Sequence, residues 1–416
     1  MNSRLAFVVI GLAINFLVLG RGVLLMLVLD YNGLGLVALV QAYILFGGLL
    51  HFGLLNGGYR LLCNAGPRHR QRIIDLAYTA FASLAAIFVA LALVYASQLD
   101  TGEYRAVAGM TALGALATLL RAWTMNEMVA AGRLKAANLT NAVSIGVSLG
   151  LLALLPLAPT LVAVGSIVAQ PVVFVVVALA SGAVLRPSRL RMPKRLVKVI
   201  FRTGFVLFLT GIAIQFNSLL ERSYVSNELG LEPLGRLYLA FLFLNLFQMV
   251  PTLLEQVFLP SIVKAHKAGE ESAVRAEMVN LIMLVVGYCA LAALALWLIA
   301  PPLLELVLPK YVPDLRWVYL LAPGLIVFTL SAPFALMFNV IIDYRWYVIG
   351  YGASVVATVI AFAAALLSGQ AFSLDRVVML RSGIYALMAV LLVAGWWRLS
   401  RNHRGFRPLA GSRNSV

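Results

Sequence analysis

The chain of 416 residues contains only two cysteines, Cys63 and Cys289, and only four histidines. Each cysteine lies in or beside an apolar stretch, which argues against structural disulfides and a thiolate metal site. The histidines are scattered, so they form no zinc-binding group. The sequence also lacks a P-loop and any other glycine-rich phosphate cradle, so ATP hydrolysis is not expected. We therefore predict no cofactor and no enzymatic activity.

Charged residues are scarce, at 12% of the chain, and acidic residues are the rarer kind: 16 Asp and Glu against 32 Lys and Arg. Soluble globular proteins carry about 25% charged residues. A net charge of +16 raises the possibility of nucleic-acid binding. However, most Lys and Arg residues fall in alternate connecting segments, which is the positive-inside pattern of membrane proteins. This pattern predicts cytoplasmic termini, no nucleic-acid partner, and attraction of membrane lipids to the basic segments 68–72 and 186–198.

Hydrophobic residues are abundant, at 62% of the chain with a mean hydropathy of +0.96. Apolar stretches of about 20 residues, long enough to cross the hydrocarbon core as helices, recur throughout. The sequence therefore predicts an all-α, polytopic integral membrane protein with about 12 transmembrane helices. The predicted spans cover residues 5–29, 34–57, 73–97, 104–128, 136–156, 161–185, 200–225, 233–259, 276–300, 316–341, 346–368 and 376–398.

A repeat links the two halves of the chain. Leu29, Leu34, Gly35 and Leu39 recur as Leu229, Leu234, Gly235 and Leu239. Both copies fall at the hairpin between the first two spans of a half. Two same-sense repeats in a bilayer are typical of transporters with two bundles around a central cavity. We predict an N-terminal six-helix bundle (1–185), a basic cytoplasmic linker (186–199), a C-terminal six-helix bundle (200–398) and a basic cytoplasmic tail (399–416).

Ionisable residues inside the spans are the strongest candidates for substrate contact, because a charge at bilayer depth costs about 3 kcal/mol or more unless it faces a cavity or a partner. They are Arg21, Arg121, Glu221 and Arg222. The planar arginine side chain binds phosphate oxygens in a bidentate manner, which favours an anionic, phosphate-bearing substrate. The alternative is that Glu221 neutralises one of the three arginines in an internal ion pair.

Polar residues in or beside the spans form a second set of candidates, which are Arg60, His51, Asn56, Gln215, Asn217, Asn245 and Gln248. In a wet cavity such side chains hydrogen-bond sugar hydroxyls. Hydrogen bonding between packed helices is their commoner role. Arg60, at the predicted cytoplasmic end of the second span, is either an interfacial anchor or a gate.

Several short motifs carry a family resemblance. In and after the seventh span they are Glu221-Arg222, Leu229-Gly230, Gly235, Tyr238, Leu254, Gln256, Val257 and Phe258-Leu259-Pro260. Elsewhere they are Phe52-Gly53-Leu54, Asn56, Arg60 and Leu308-Pro309-Lys310-Tyr311. With the span count, these resemble polysaccharide flippases of the O-antigen type, in the multidrug/oligosaccharidyl-lipid/polysaccharide (MOP) exporter superfamily. The first hairpin departs from that family, with Leu29-Asp30-Tyr31-Asn32-Gly33 in place of its usual Leu-Gly-Pro-Glu.

The resemblance implies a MATE-like fold that opens alternately to each side of a bacterial inner membrane. It implies a polyprenyl-diphosphate-linked oligosaccharide as cargo, moved to the outer leaflet for biosynthesis of surface polysaccharide such as the O-antigen of lipopolysaccharide. A glycan polymerase and chain-length proteins are the partners that this role suggests. The coupling ion stays open.

Other functions compete with this one. A cation-coupled multidrug or toxin exporter of the same superfamily would need carboxylates in the spans, and these are few. A membrane-embedded glycan polymerase, ligase or acyltransferase would need clustered catalytic groups or a large outer loop. A major-facilitator carrier is disfavoured because the segment 64–72 lacks the Gly-Asp-Arg pattern of that family.

Overall fold

A computed structural model describes residues 3–98, 101–341 and 343–402. In these ranges every regular element is a helix. Within these ranges, twelve helical segments are long and apolar enough to cross a membrane. The predicted all-α, polytopic membrane fold with 12 spans is therefore confirmed. From residue 403 onward, the predicted basic tail lies outside the described residues.

The helices form two compact units, residues 1–236 and 237–416. The first unit contains α1 (Ser3–Val28), α2 (Tyr31–Gly48), α3 (Leu54–Asn64), α4 (Pro67–Ser97), α5 (Gly102–Ala130), α6 (Leu134–Leu151), α7 (Pro159–Ala180), α8 (Lys194–Glu228) and α9 (Leu231–Arg236). The second contains α10 (Tyr238–Ala268), α11 (Glu271–Leu298), α12 (Ala300–Val307), α13 (Leu315–Leu330), α14 (Ala332–Ile341), α15 (Arg345–Leu367) and α16 (Leu374–Asn402).

The two copies of the repeat start new helices at equivalent positions. Before α2, the Asp30 carboxylate accepts a hydrogen bond from the amide of Gly33 at 2.8 Å and caps the helix. Before α9, Gly230 adopts a φ of +100°, in the left-handed region that glycine reaches at low steric cost. These turns place Tyr31 and Leu231 at the first positions of their helices.

The second predicted span, 34–57, is not one continuous helix. It ends as α2 at Gly48, and the chain resumes as α3 at Leu54. Between them, Phe52 and Gly53 have φ values of +47° and +87°. The Nδ1 atom of His51 accepts a hydrogen bond from the Gly53 amide at 3.1 Å, which satisfies a backbone donor at the break.

The first unit extends past the predicted linker because α8 and α9 pack against α2 and α3. The interior of this unit includes Trp123, whose side chain is fully buried on α5. Its ring lies 5.8 Å from that of Phe81, and an ideal Cβ on Gly58 would lie 2.7 Å from it. Glycine at position 58 therefore lets α3 approach the indole.

The second unit has a similarly close pair of helices, α13 and α16. An ideal Cβ on Gly324 would lie 2.0 Å from the carbonyl oxygen of Ser382. Ser382 Oγ accepts a hydrogen bond from the Gly324 amide at 3.0 Å. At the start of both helices, Asp375 accepts a hydrogen bond from the Trp317 indole at 2.9 Å and pairs with Arg316. Hydrogen bonds and the close approach of Gly324 to the backbone of Ser382 thus hold these helices together.

Candidate functional site

The two copies of the sequence repeat contact each other. An ideal Cβ on Gly35 would lie 2.0 Å from the carbonyl oxygen of Leu231, and one on Gly235 would lie 1.8 Å from that of Tyr31. The contact is reciprocal, since each glycine faces the first residue of the other helix. Real Cβ atoms essentially never approach within 3.0 Å of such atoms. Glycine is therefore required at both positions for α2 and α9 to pack this closely.

Arg222 extends this contact onto α8. Its Nη1 atom donates a hydrogen bond to the carbonyl oxygen of Ala38 on α2 at 2.6 Å. Arg222 and the neighbouring Glu221 are both 5% exposed, and Ala38 is fully buried. A charge-assisted hydrogen bond of this kind is about twice as strong as a neutral one. The acidic-Arg pair predicted from the sequence therefore lies where α2, α8 and α9 meet.

A second close contact joins α3 and α8. An ideal Cβ on Gly204 would lie 2.1 Å from the carbonyl oxygen of Gly53, and one on Gly57 would lie 2.1 Å from that of Ile200. At 1.5 Å rise per residue, about 27 Å of helix separates Gly204 from Arg222. This separation is close to the thickness of a bilayer's hydrocarbon core, which is about 30 Å.

Aromatic rings occupy part of the length between the two contacts. The ring of Phe208 lies 5.3 Å from that of His51 and 5.6 Å from that of Phe52. Closer to Arg222, the rings of Phe46 and Phe216 are 5.9 Å apart. His51 is 5% exposed and its Nδ1 is bonded to Gly53, so it has a structural role at the helix break.

The other predicted polar residues fall in three places. Gln215 and Asn217 are half-buried on α8, between the two contacts, and Asn56 and Arg60 are half-buried on α3. In the second unit, Asn245 is exposed and Gln248 is half-buried on α10.

Arg21 is buried in the first unit, with 6% of its surface exposed. Its Nη1 atom donates to Ser148 Oγ at 2.8 Å, to the Ser166 carbonyl oxygen at 3.4 Å and to Gln170 Oε1 at 3.1 Å. These partners lie on α6 and α7. Ser148 in turn donates to the Ser166 carbonyl oxygen at 2.6 Å. The sequence identified the arginine but none of these partners, because serine and glutamine in apolar helices carry no distinctive signal.

Arg121 is bound to the same two helices. Its Nη2 atom donates to Asn141 Oδ1 on α6 at 3.0 Å, and its guanidinium carbon lies 5.4 Å from the centre of the Phe174 ring on α7. A cation over an aromatic face is stabilised by the ring quadrupole. Asn141 precedes Ser148 by seven residues and Phe174 follows Gln170 by four, so both arginines contact the same faces of α6 and α7.

The two arginines form a positively charged polar cluster, defined here as Arg21 and Arg121 with their partners on α6 and α7. The sequences of α1, α6 and α7 contain no Asp or Glu. On α5, Glu127 accepts a hydrogen bond from the Leu185 amide at 2.5 Å, next to the linker. Such a cluster attracts anions and repels cations.

Comparisons with solved structures identify the fold. A multidrug resistance MATE family transporter of the MOP superfamily, in its inward-facing conformation, superposes with a TM-score of 0.70 and 13% identity, over 95% of this chain and 98% of that one. The lipid II flippase MurJ, in its inward closed conformation, gives 0.71 and 12%, over 96% and 90% of the two chains. The fold is that of the MOP-superfamily transporters.

Among these MOP-fold proteins, the chain is also similar to a MOP superfamily transporter from Pyrococcus furiosus, for which a binding pocket of reversed polarity is described. The TM-score is 0.59 and the identity 14%, over 95% of this chain and 94% of that one. Neither a family model nor the sequence of a curated protein matches the chain. The structural superpositions confirm the MATE-like fold predicted from the sequence.

Proposed function

We propose that this MOP-fold protein is a flippase that moves a polyprenyl-diphosphate-linked oligosaccharide from the cytoplasmic to the outer leaflet of a bacterial inner membrane. The observation that carries the proposal is the polar interior of the first unit, where Arg21 and Arg222 are buried and Arg121 is half-buried. Hydroxyl, amide and carbonyl oxygens are among their hydrogen-bond acceptors. A guanidinium group that donates to such neutral oxygens keeps its positive charge, and buried positive charge favours an anionic headgroup.

The chemistry of the cargo matches the polar residues of the first unit. Arginine binds diphosphate oxygens through a planar set of donors, and amides hydrogen-bond sugar hydroxyls. Gln215 and Asn217 lie on α8 between the α2–α9 and α3–α8 contacts. In the proposed cycle these two contacts open in turn, so that the headgroup reaches α8 from one side and leaves from the other.

The second candidate function is a cation-coupled multidrug exporter, and the specific observation in its favour is the buried carboxylate of Glu221 on α8. A cationic drug would need acidic groups in its path. The arginine cluster between α1, α5, α6 and α7 opposes this, because two positive charges repel such a substrate. We therefore place the exporter second, and a glycan polymerase or ligase third.

The test is a deletion strain of the source bacterium, complemented with the wild-type gene or with variants. We expect the deletion to accumulate polyprenyl-diphosphate-linked oligosaccharide in its lipid extract and to lose surface glycan. Mass spectrometry of the lipid extract identifies the cargo. Unchanged intermediates with intact glycan would contradict the proposal, and a changed drug-susceptibility profile in that strain would favour the exporter.

Point variants test the arginines themselves. Arg21→Ala and Arg222→Ala should abolish glycan export at an unchanged protein level, because each removes a buried positive charge. Arg345→Ala is the matched control, since Arg345 is exposed at the start of α15. Normal surface glycan in both test variants would refute the role of the arginines.

A further inference from the structure

An open groove of about 900 Å³ lies along the N-terminal end of α8, between Met192 and Val206. It adjoins the α3–α8 contact, since an ideal Cβ on Gly53 would lie 2.8 Å from the backbone nitrogen of Phe205. In the groove, Lys194, Lys198, Phe201 and Arg202 are exposed, and Phe205 is half-buried. We call this feature the α8 groove.

The α8 groove carries two parallel stripes. Lys194, Lys198 and Arg202 are spaced four residues apart and so lie on one face of the helix. Beside them, Phe201 and Phe205 stack with ring centres 4.5 Å apart and planes 25° from parallel. Cations and apolar rings therefore lie at the same depth along the helix, side by side. An ordinary basic anchor differs, because its charges flank the apolar segment instead of running along it.

The length of α8 places the groove at the membrane surface, from the edge of the hydrocarbon core outward through the headgroup layer. Its 35 residues span about 52 Å, whereas the hydrocarbon core is about 30 Å thick. With Glu228 at the far boundary of the core, the first 14 or so residues extend beyond the other boundary. That boundary is the one that the sequence predicts to face the cytoplasm. Arg202 then lies about 9 Å beyond the core, next to the lipid phosphates, and Lys198 and Lys194 follow about 6 and 12 Å further out, where a large headgroup extends from the membrane.

We propose that the α8 groove is the docking site for the diphosphate headgroup of the lipid-linked cargo before translocation. This inference rests on the proposed function. Three cations at four-residue spacing match a headgroup with two linked phosphates better than one with a single phosphodiester, because neighbouring cations are about 6 Å apart at their Cβ atoms. The two stacked phenylalanines cover the first isoprenoid units of the tail.

Docking here delivers the headgroup to the helix that carries Gln215, Asn217 and Arg222. Gly204, which contacts α3, lies only two residues beyond Arg202. When the α3–α8 contact opens, a lipid bound in the groove lies beside the opening. The groove therefore supplies the first binding step, and Gln215, Asn217 and the arginines supply later ones.

The binding test uses the full chain in nanodiscs of phosphatidylcholine, titrated with undecaprenyl diphosphate and followed by native mass spectrometry. Phosphatidylglycerol, undecaprenyl monophosphate and inorganic diphosphate are titrated in parallel. We expect undecaprenyl diphosphate to bind at least about tenfold more tightly than the other three. The variant K194Q/K198Q/R202Q should lose at least about tenfold in affinity, since each basic residue near a membrane surface contributes about fivefold.

The matched control is K264Q/K267Q/R275Q, which removes the same charge from exposed positions on α10 and α11. It should change the affinity less than about twofold. An equal loss in both triple variants would overturn the proposal, because it would indicate a general effect of net charge. Equal binding of phosphatidylglycerol would overturn it in favour of an unspecific anionic-lipid site.

Measuring surface glycan distinguishes a failure of the docking proposal from a failure of the proposed flippase function. We expect K194Q/K198Q/R202Q to export glycan more slowly than the control variant, with lipid-linked intermediate accumulating. Normal export with lost binding would overturn the docking role and leave the flippase proposal standing. A deletion strain with intact glycan and no accumulated intermediate would overturn the flippase proposal, whatever the groove binds.

Discussion

Gly235→Ala should open the α2–α9 contact. The added Cβ would lie 1.8 Å from the Tyr31 carbonyl oxygen, whereas an ordinary contact is at least 3.4 Å. The two backbones must therefore separate by about 1.6 Å, and overpacking of this kind costs about 1–3 kcal/mol. At about 2 kcal/mol, the ratio of open to closed contact rises about 30-fold. Gly35→Ala should act alike, because the contact is reciprocal.

Thiol labelling measures this opening. The two native cysteines, Cys63 and Cys289, are replaced by serine, and Ala38→Cys supplies a reporter thiol at a fully buried position of α2. Intact cells are treated with a membrane-impermeant maleimide from the side that the sequence predicts to face outward. We expect Gly235→Ala to raise the labelling rate of the reporter thiol by about the same factor as the open population, up to about 30-fold.

The control is Gly211→Ala on α8. An ideal Cβ on Gly211 has no atom within 4 Å, so the substitution adds the same methyl group to a helix without a clash. It should leave the labelling rate of the reporter thiol within about twofold of its parent. Equal labelling rates in the Gly235→Ala and Gly211→Ala proteins would refute the idea that the repeat glycines keep the α2–α9 contact closed.

Two further predictions follow from the same geometry. Gly204→Ala places a Cβ 2.1 Å from the Gly53 carbonyl oxygen and should open the α3–α8 contact. Glycan export should then fall, while the labelling rate of the reporter thiol stays at or below that of its parent. A higher labelling rate would contradict alternation between the two contacts. Trp123→Ala removes a fully buried indole and should lower the free energy of unfolding in detergent by about 3 kcal/mol. Trp297→Ala, at a residue that is 67% exposed, should lower it by less than about 1 kcal/mol. Similar melting temperatures for the two variants would contradict the assigned core.

The span count and the membrane class could be predicted because both depend on local composition. Each crossing needs about 20 apolar residues, and that signal is present in every span separately. The break between Gly48 and Leu54 was not predicted, because the stretch Leu49-Leu50-His51-Phe52 is as apolar as a continuous span. The strained φ of Phe52 is visible only in the three-dimensional structure.

The candidate site could be predicted in part. The cost of a buried charge identified Arg21, Arg121 and Arg222 as exceptional residues. The repeat identified Gly35 and Gly235, but a sequence does not reveal that these glycines, far apart along the chain, face each other's helices. The partners of Arg21 and the groove on α8 likewise depend on packing and helix register.

Transport of the cargo itself tests the central claim most directly. Lipid-linked oligosaccharide purified from the deletion strain is placed with the protein in proteoliposomes, with and without an imposed membrane potential or pH gradient. Its headgroup is then probed from outside with an impermeant lectin. The account predicts time-dependent transfer between leaflets with the wild-type protein and little transfer with Arg21→Ala. Transfer no faster than in protein-free liposomes under every gradient would contradict it.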